Sequence, residues 1–302
     1  MLKLFRNHKG LFALVLLFSV INSALGIGAA VILENILNSV VDGNWGLFSI
    51  MLWVVLGYIV VLVAMSACGT IAEKKLIVRT VQDLRNDVQQ GILSRDTERY
   101  KTTNTADYLS ALTNEVKIIE ENVIVAFLNT IQYALVFVMA AVALFVYSPL
   151  IGGIMLFGLL LMYLLPASLG KPIGKRQEAY SASLSLFTTR LKDQFSGYEV
   201  IRSYRLVDQA KAAFTRQNEE LSERKYGVDK LLALSEVIAG VMGAGLQIGT
   251  MLVAGFLVLN GQMAAGTLLA ILQLSGMFVQ PVAIILQSIP KIQGAGPVLA
   301  RL

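Results

Sequence analysis

The chain has 302 residues, 56% of them apolar and only 15% charged, with a mean hydropathy of +0.67 and a formal net charge of +5. A soluble globular domain averages about 25% charged residues, so the composition argues against one. The single cysteine, Cys68, and the single histidine, His8, exclude a disulfide framework within the chain and a Cys/His metal cluster.

Six apolar runs follow one another, over about 11–33, 47–68, 123–147, 150–169, 237–259 and 267–289. Each is near the roughly 20 residues a helix needs to cross about 30 Å of hydrocarbon. They are continuous rather than alternating, which disfavours a β-barrel. The first 26 residues carry Lys3, Arg6 and Lys9 ahead of an apolar run, in the manner of a signal peptide. The run continues to Leu33 without a polar break, so it reads as an uncleaved first span.

Lys and Arg are sorted by side. Three precede the first run, 8 lie between the second and third, 12 between the fourth and fifth, and 2 after the sixth. None lies after runs one, three or five. The positive-inside rule then places both termini and both long connections in the cytoplasm. This sorting accounts for the positive charge without a nucleic-acid partner, and none is expected.

Beyond the second run the helical pattern continues through Ile71, Leu76, Val81, Leu84 and Val88 to about Leu93. A polar stretch, Ser94–Thr105, breaks it. Helix resumes at Ala106 or Asp107, with Asn104 or Thr105 as N-cap, and carries Leu109, Leu112, Val116, Ile119 and Val123 as one stripe. A second arm, residues 170–236, carries Leu184, Phe187, Leu191 and Phe195 at helical spacing and turns at Ser196-Gly197. The two arms, 69–122 and 170–236, are far longer than a return to the bilayer needs. Pro281 and Pro290 should kink the sixth run. The expected fold is thus all-α, with six transmembrane helices and two long cytoplasmic helical hairpin arms in one domain, 1–302.

Several stretches together resemble the transmembrane domain of ABC exporters, over essentially the whole chain. Tyr100 to Val116 resembles the family's first cytoplasmic loop, although Ala106 replaces the usual Gly and Ala111 the usual Arg. Gly197-Tyr198-Glu199-Val200-Ile201-Arg202-Ser203-Tyr204 resembles the second, with Asp208 near the usual acidic position. Gly261 and Gly266 flank the last outer turn as in the family, and Leu299-Ala300-Arg301-Leu302 resembles its linker into a nucleotide-binding domain. The resemblance implies a half-transporter in the bacterial plasma membrane, pairing as homo- or heterodimer with a second half. Coupling helices at the arm tips would dock on ATP-binding domains, through Arg99, Tyr100, Lys101, Thr102 and Thr103 at the first tip. Gly197, Tyr198, Glu199, Arg202 and Tyr204 would serve at the second, with Tyr204 as aromatic anchor or packed within its own arm. ATP and Mg are expected on those partner domains. This chain has no phosphate loop, since Gly170-Lys171-Pro172-Ile173-Gly174-Lys175-Arg176 has the wrong spacing and no Ser or Thr.

Polar side chains inside apolar spans are functional candidates. Glu34, Gln132, Gln247, Gln273, Gln280 and Gln287 are the candidate cavity residues for an exported substrate that the sequence does not name. Gln273, Gln280 and Gln287 recur every seven residues on one face of the last run. Glu34 reads rather as a solvated helix end beside Asn35, and the glutamines equally as helix-to-helix hydrogen bonds. Three further readings compete with an ATP-driven exporter. An ion-gradient-driven secondary transporter would not need two arms of this length. An intramembrane protease would need paired acids or histidines within the spans. A non-transporting sensor or interaction module could keep the same scaffold.

Overall fold

A computed structural model describes residues 2–96, 100 and 104–296 of the chain. Among these every regular element is helical. A short 3-10 segment, Leu2–His8, leads into α1, Lys9–Val41. Then come α2, Trp45–Leu93, and α3, Thr105–Tyr147. Next are α4, Pro149–Ser196, the short α5, Tyr198–Ser203, α6, Val207–Leu259, and α7, Thr267–Gly294. Five helices are long and apolar enough to cross a membrane: Leu4–Val41, α2, α3, α6 and the stretch Thr267–Ile289 of α7. A shorter apolar stretch, Pro149–Met162, opens α4. This is an all-α membrane architecture.

Helix ends follow local chemistry. Asn44 caps α2, its side chain accepting from the Leu47 N–H at 3.1 Å. Asn104 caps α3 by accepting from the Ala106 N–H at 3.1 Å, one of the two caps that the polar break predicts. Ser148 separates α3 from α4, and Pro149 occupies the first turn of α4, where its missing N–H costs nothing. Gly261, at φ +69°, takes the left-handed conformation that closes the turn after α6.

The chain divides into two compact units, Met1–Met155 with Gln247–Leu302, and Leu156–Leu246. In the first, α1 packs against α2, α3 and α7, and α7 runs along α3. The 49 residues of α2 extend about 74 Å, well beyond its apolar half. That extension is held by a seam in which Leu76, Ile77, Val81 and Leu84 of α2 meet Val116, Ile119, Val123 and Ile124 of α3. Phe5 and Val15 close the seam from the N-terminal side, and Phe5 stacks on Phe12 and Phe127. Asn7 adds a 2.9 Å hydrogen bond to Asp83, whose carboxylate also lies 3.2 Å from His8 Nε2.

The apolar stripe on α3 departs from simple helical phase. Leu109 is exposed, whereas Tyr108 is buried. Two π-helical segments, Ala111–Glu115 and Glu120–Val125, lie within α3. Each wider turn takes up extra backbone and rotates the following side chains. The buried set therefore runs from Tyr108 to Val116 and Ile119, and on to both Val123 and Ile124.

The second unit is an antiparallel hairpin. Phe187 packs on Phe214 with ring centroids 5.7 Å apart, and Arg176 donates to the Gly227 carbonyl at 3.0 Å. Gly158 faces Leu246 so closely that an added Cβ would lie 2.3 Å from its side chain. These pairings step evenly away from α5 at the hairpin tip. Beyond α5, Arg205 is held at φ 54°, an unfavourable conformation for a long side chain, where the backbone turns into α6.

The seam between α2 and α3 should carry much of the stability of the first unit. Ile119→Ala should destabilise the protein by about 2–5 kcal/mol, since Ile119 is fully buried. Ile118→Ala, on the open face, should cost within about 0.5 kcal/mol. Unfolding in mixed micelles, followed by circular dichroism, compares the two.

Candidate functional site

A polar cavity of about 240 Å³ lies among α1, α2, α3 and α7 in the first unit. Ser19, Asn22 and Ser23 of α1 line one side, and Gly69, Thr70 and Glu73 of α2 another. Gln132 and Tyr133 of α3 complete the polar wall, while Val15, Phe18, Val136 and Met277 make it apolar elsewhere. Gln132 Nε2 donates to Glu73 Oε2 at 2.9 Å, and Ser66 donates to Asn22 Oδ1 at 3.2 Å. The Ser19 and Ser23 hydroxyls donate back to the Val15 and Ser19 carbonyls of their own helix, at 2.8 Å each. Glu73 is the one charged residue lining the cavity, and the neighbouring Lys74 and Lys75 are exposed.

At the end of the bundle with the short turns, Glu34 joins three helices. One carboxylate oxygen accepts from Thr267 Oγ1 of α7 at 2.6 Å, and the other from the Tyr147 hydroxyl of α3. One turn along α1, Asn38 Oδ1 accepts from the Gly266 N–H at 2.7 Å. A Cβ at position 266 would lie 2.1 Å from the Glu34 carbonyl oxygen, so only glycine allows this approach. Both oxygens of Glu34 thus have donors within the bundle.

The other sequence candidates fall into separate places. Gln132 lines the cavity. Gln273, Gln280 and Gln287 are exposed along one face of α7, opposite the buried Ile271, Leu274 and Phe278. Gln247 is half-buried on α6. At the tip of the second unit, Tyr198 is 61% and Tyr204 74% exposed, so Tyr204 does not pack within its arm. Glu199 and Arg202 are exposed beside them, and Gly197 precedes α5. At the other tip, Tyr100 stacks on Tyr108 at 5.0 Å, and the Arg95 guanidinium lies 5.5 Å from the Tyr108 ring. Arg99, Lys101, Thr102 and Thr103 lie outside the described residues, as does the Leu299–Leu302 segment.

The family of the ABC transporter transmembrane region matches residues 12–282. The chain belongs to that family. It is also 25% identical, over 299 residues, to the ATP-dependent lipid A-core flippase of Syntrophus aciditrophicus. That match covers 93% of this chain and 47% of the flippase, so the chain spans about half the length of its curated relative. With its all-helical architecture and long apolar helices, the chain is the transmembrane region of an ABC transporter.

Within this ABC transporter membrane domain, Glu73 is the site residue that sequence reasoning passes over. It stands five residues beyond the apolar run that ends at Cys68, where an acid reads as part of a solvated arm. A signal was present, because Gly69 and Glu73 are one turn apart and flank the buried Ala72, Leu76 and Ile77. The hydrogen bond from Gln132 could not be read that way, because α3 supplies it across 59 positions.

The Glu34 junction gives two checks. Gly266→Ala should lower thermal stability, since the new methyl meets a backbone atom that cannot swing aside. Glu34→Ala should cost about 1–3 kcal/mol by leaving Thr267 and Tyr147 without their shared acceptor. Both are read from unfolding transitions in detergent, with exposed Val40→Ala as the neutral control.

Proposed function

We propose that this membrane domain is that of an exporter and forms half of an ATP-driven translocation pathway, with the polar face of α7 turned toward that pathway. The observation that carries the reading is the position of Gln273, Gln280 and Gln287 on an open face of an apolar helix. A lipid-facing stripe of three amides would be costly, whereas a hydrated path between two halves satisfies them. A second half, the same chain or a similar one, supplies the opposite wall.

ATP and Mg act on nucleotide-binding domains that grip the two arm tips. The exposed Tyr198, Val200 and Tyr204 around α5 supply aromatic and apolar anchors for such a grip. The continuous helices α4 and α6 would transmit closure of those domains as rigid levers. Charge sorting supports a cytoplasmic position for both tips and both termini, in a bacterial plasma membrane. The flippase relative supports a membrane-soluble amphiphile as cargo.

The test is ATP-dependent movement of a labelled amphiphile in proteoliposomes holding the whole protein and its ATPase. Tyr204→Ala should cut transport at least tenfold while leaving the fold intact, because the side chain is exposed. ATP hydrolysis should then lose its response to cargo. Transport that ignores ATP and follows an ion gradient would establish the secondary-transporter reading instead.

A further inference from the structure

The cavity around Glu73 has a chemistry of its own. Its one charge is negative, and among the described residues no cation forms an ion pair with it. Among the described residues the donor that reaches it is the neutral Gln132 amide, on Oε2. Gln132 lies nine residues inside the third apolar run, so the carboxylate sits beside an intramembrane amide. An ionisable group so placed calls for a partner. The Asn22 side-chain oxygen lies on the α1 side of the cavity and accepts from the Ser66 hydroxyl.

Several occupants are disfavoured by this donor set. A phosphate or other anion would be repelled by Glu73 and finds no Lys or Arg in the wall. A divalent metal needs several hard oxygen ligands, usually with more than one carboxylate, and no group of three acidic, His or Cys side chains gathers among the described residues. A drug-sized molecule usually needs about 300–1,000 Å³. The cavity of about 240 Å³ suits a headgroup instead. The rings of Phe18 and Tyr133 line it, and aromatic faces attract alkylammonium groups.

We infer that this cavity is a binding site for a compact organic ammonium group. Glu73 is its counter-ion, Gln132 holds the carboxylate in place, and Val15, Val136 and Met277 take the adjoining alkyl surface. The site lies within one half, among α1, α2, α3 and α7, and α7 lines it with Met277, between Gln273 and Gln280. It stands on its own geometry, whether or not the chain exports anything.

Binding is measured on the whole protein in nanodiscs by titration calorimetry, with empty nanodiscs subtracted. Dodecyltrimethylammonium probes an amphiphile, tetramethylammonium a free cation, and dodecyl maltoside an uncharged control. Glu73→Gln should weaken binding of the cation at least tenfold and leave dodecyl maltoside unchanged, while Glu73→Asp should stay within about threefold of the native protein. Thr70→Trp keeps the charge and blocks the cavity from an exposed position, so it should abolish cation binding even if Glu73→Gln folds poorly. Tight binding of dodecyltrimethylammonium alone identifies an amphiphile headgroup, and equal binding of tetramethylammonium identifies a free cation; either result supports the site. Unchanged cation affinity in Glu73→Gln or in Thr70→Trp would overturn it. So would equal loss of dodecyl maltoside in Glu73→Gln, which marks a structural role.

Discussion

The first unit depends on one carboxylate. Glu34 accepts from Thr267 and Tyr147 and so holds α1, α3 and α7 together at the end with the short turns. In an apolar bundle, dispersion between packed helices is similar to dispersion against lipid, so specific polar junctions fix which helices meet. Asn38 and the bare backbone at Gly266 extend the same junction by one turn. The 3-10 segment that leads into α1 is tied by Asn7 to Asp83 on α2. Helix α1 is therefore the post against which the others are registered.

From that post the long helices act as struts. Beyond its apolar half, α2 is held by an aliphatic seam with α3, which stiffens the hairpin without a separate domain. The two π segments in α3 keep the seam in phase while rotating the helix above and below it. The second unit repeats the principle with α4 and α6, whose pairing leads to a short exposed helix. The second arm ends in the exposed Tyr198 and Tyr204.

Much of this was legible beforehand. Run length and helical periodicity give the long helices and their extension beyond the apolar runs; of the six expected spans, five are long and apolar enough among the described residues, and the fourth is the shorter stretch Pro149–Met162. The Asn104 cap and the uninterrupted pattern to Leu93 give the bounds of α2 and α3. The glutamine repeat on α7 was visible because a seven-residue spacing keeps one helical face. Leu109 was misplaced, because a π turn breaks the 3.6-residue phase that the stripe assumes. Glu34 was noticed as an acid, but not as a three-helix junction, since its donors lie 113 and 233 positions away.

The sequence by itself determined the class of molecule. Continuous apolar runs leave helices as the form that satisfies the backbone inside a bilayer, and local periodicity carries them into the arms. Only the tertiary structure decided which polar groups meet. Glu73 lies past the end of its apolar run, and its one-turn spacing from Gly69 marks a shared helix face but not the partner it meets. The register of α2 against α3, set by interlocking side chains along the seam, brings it to Gln132 and turns it into the charged wall of a cavity. Periodicity reports which face of a helix is apolar; how far two such faces slide along each other is fixed by packing between distant residues.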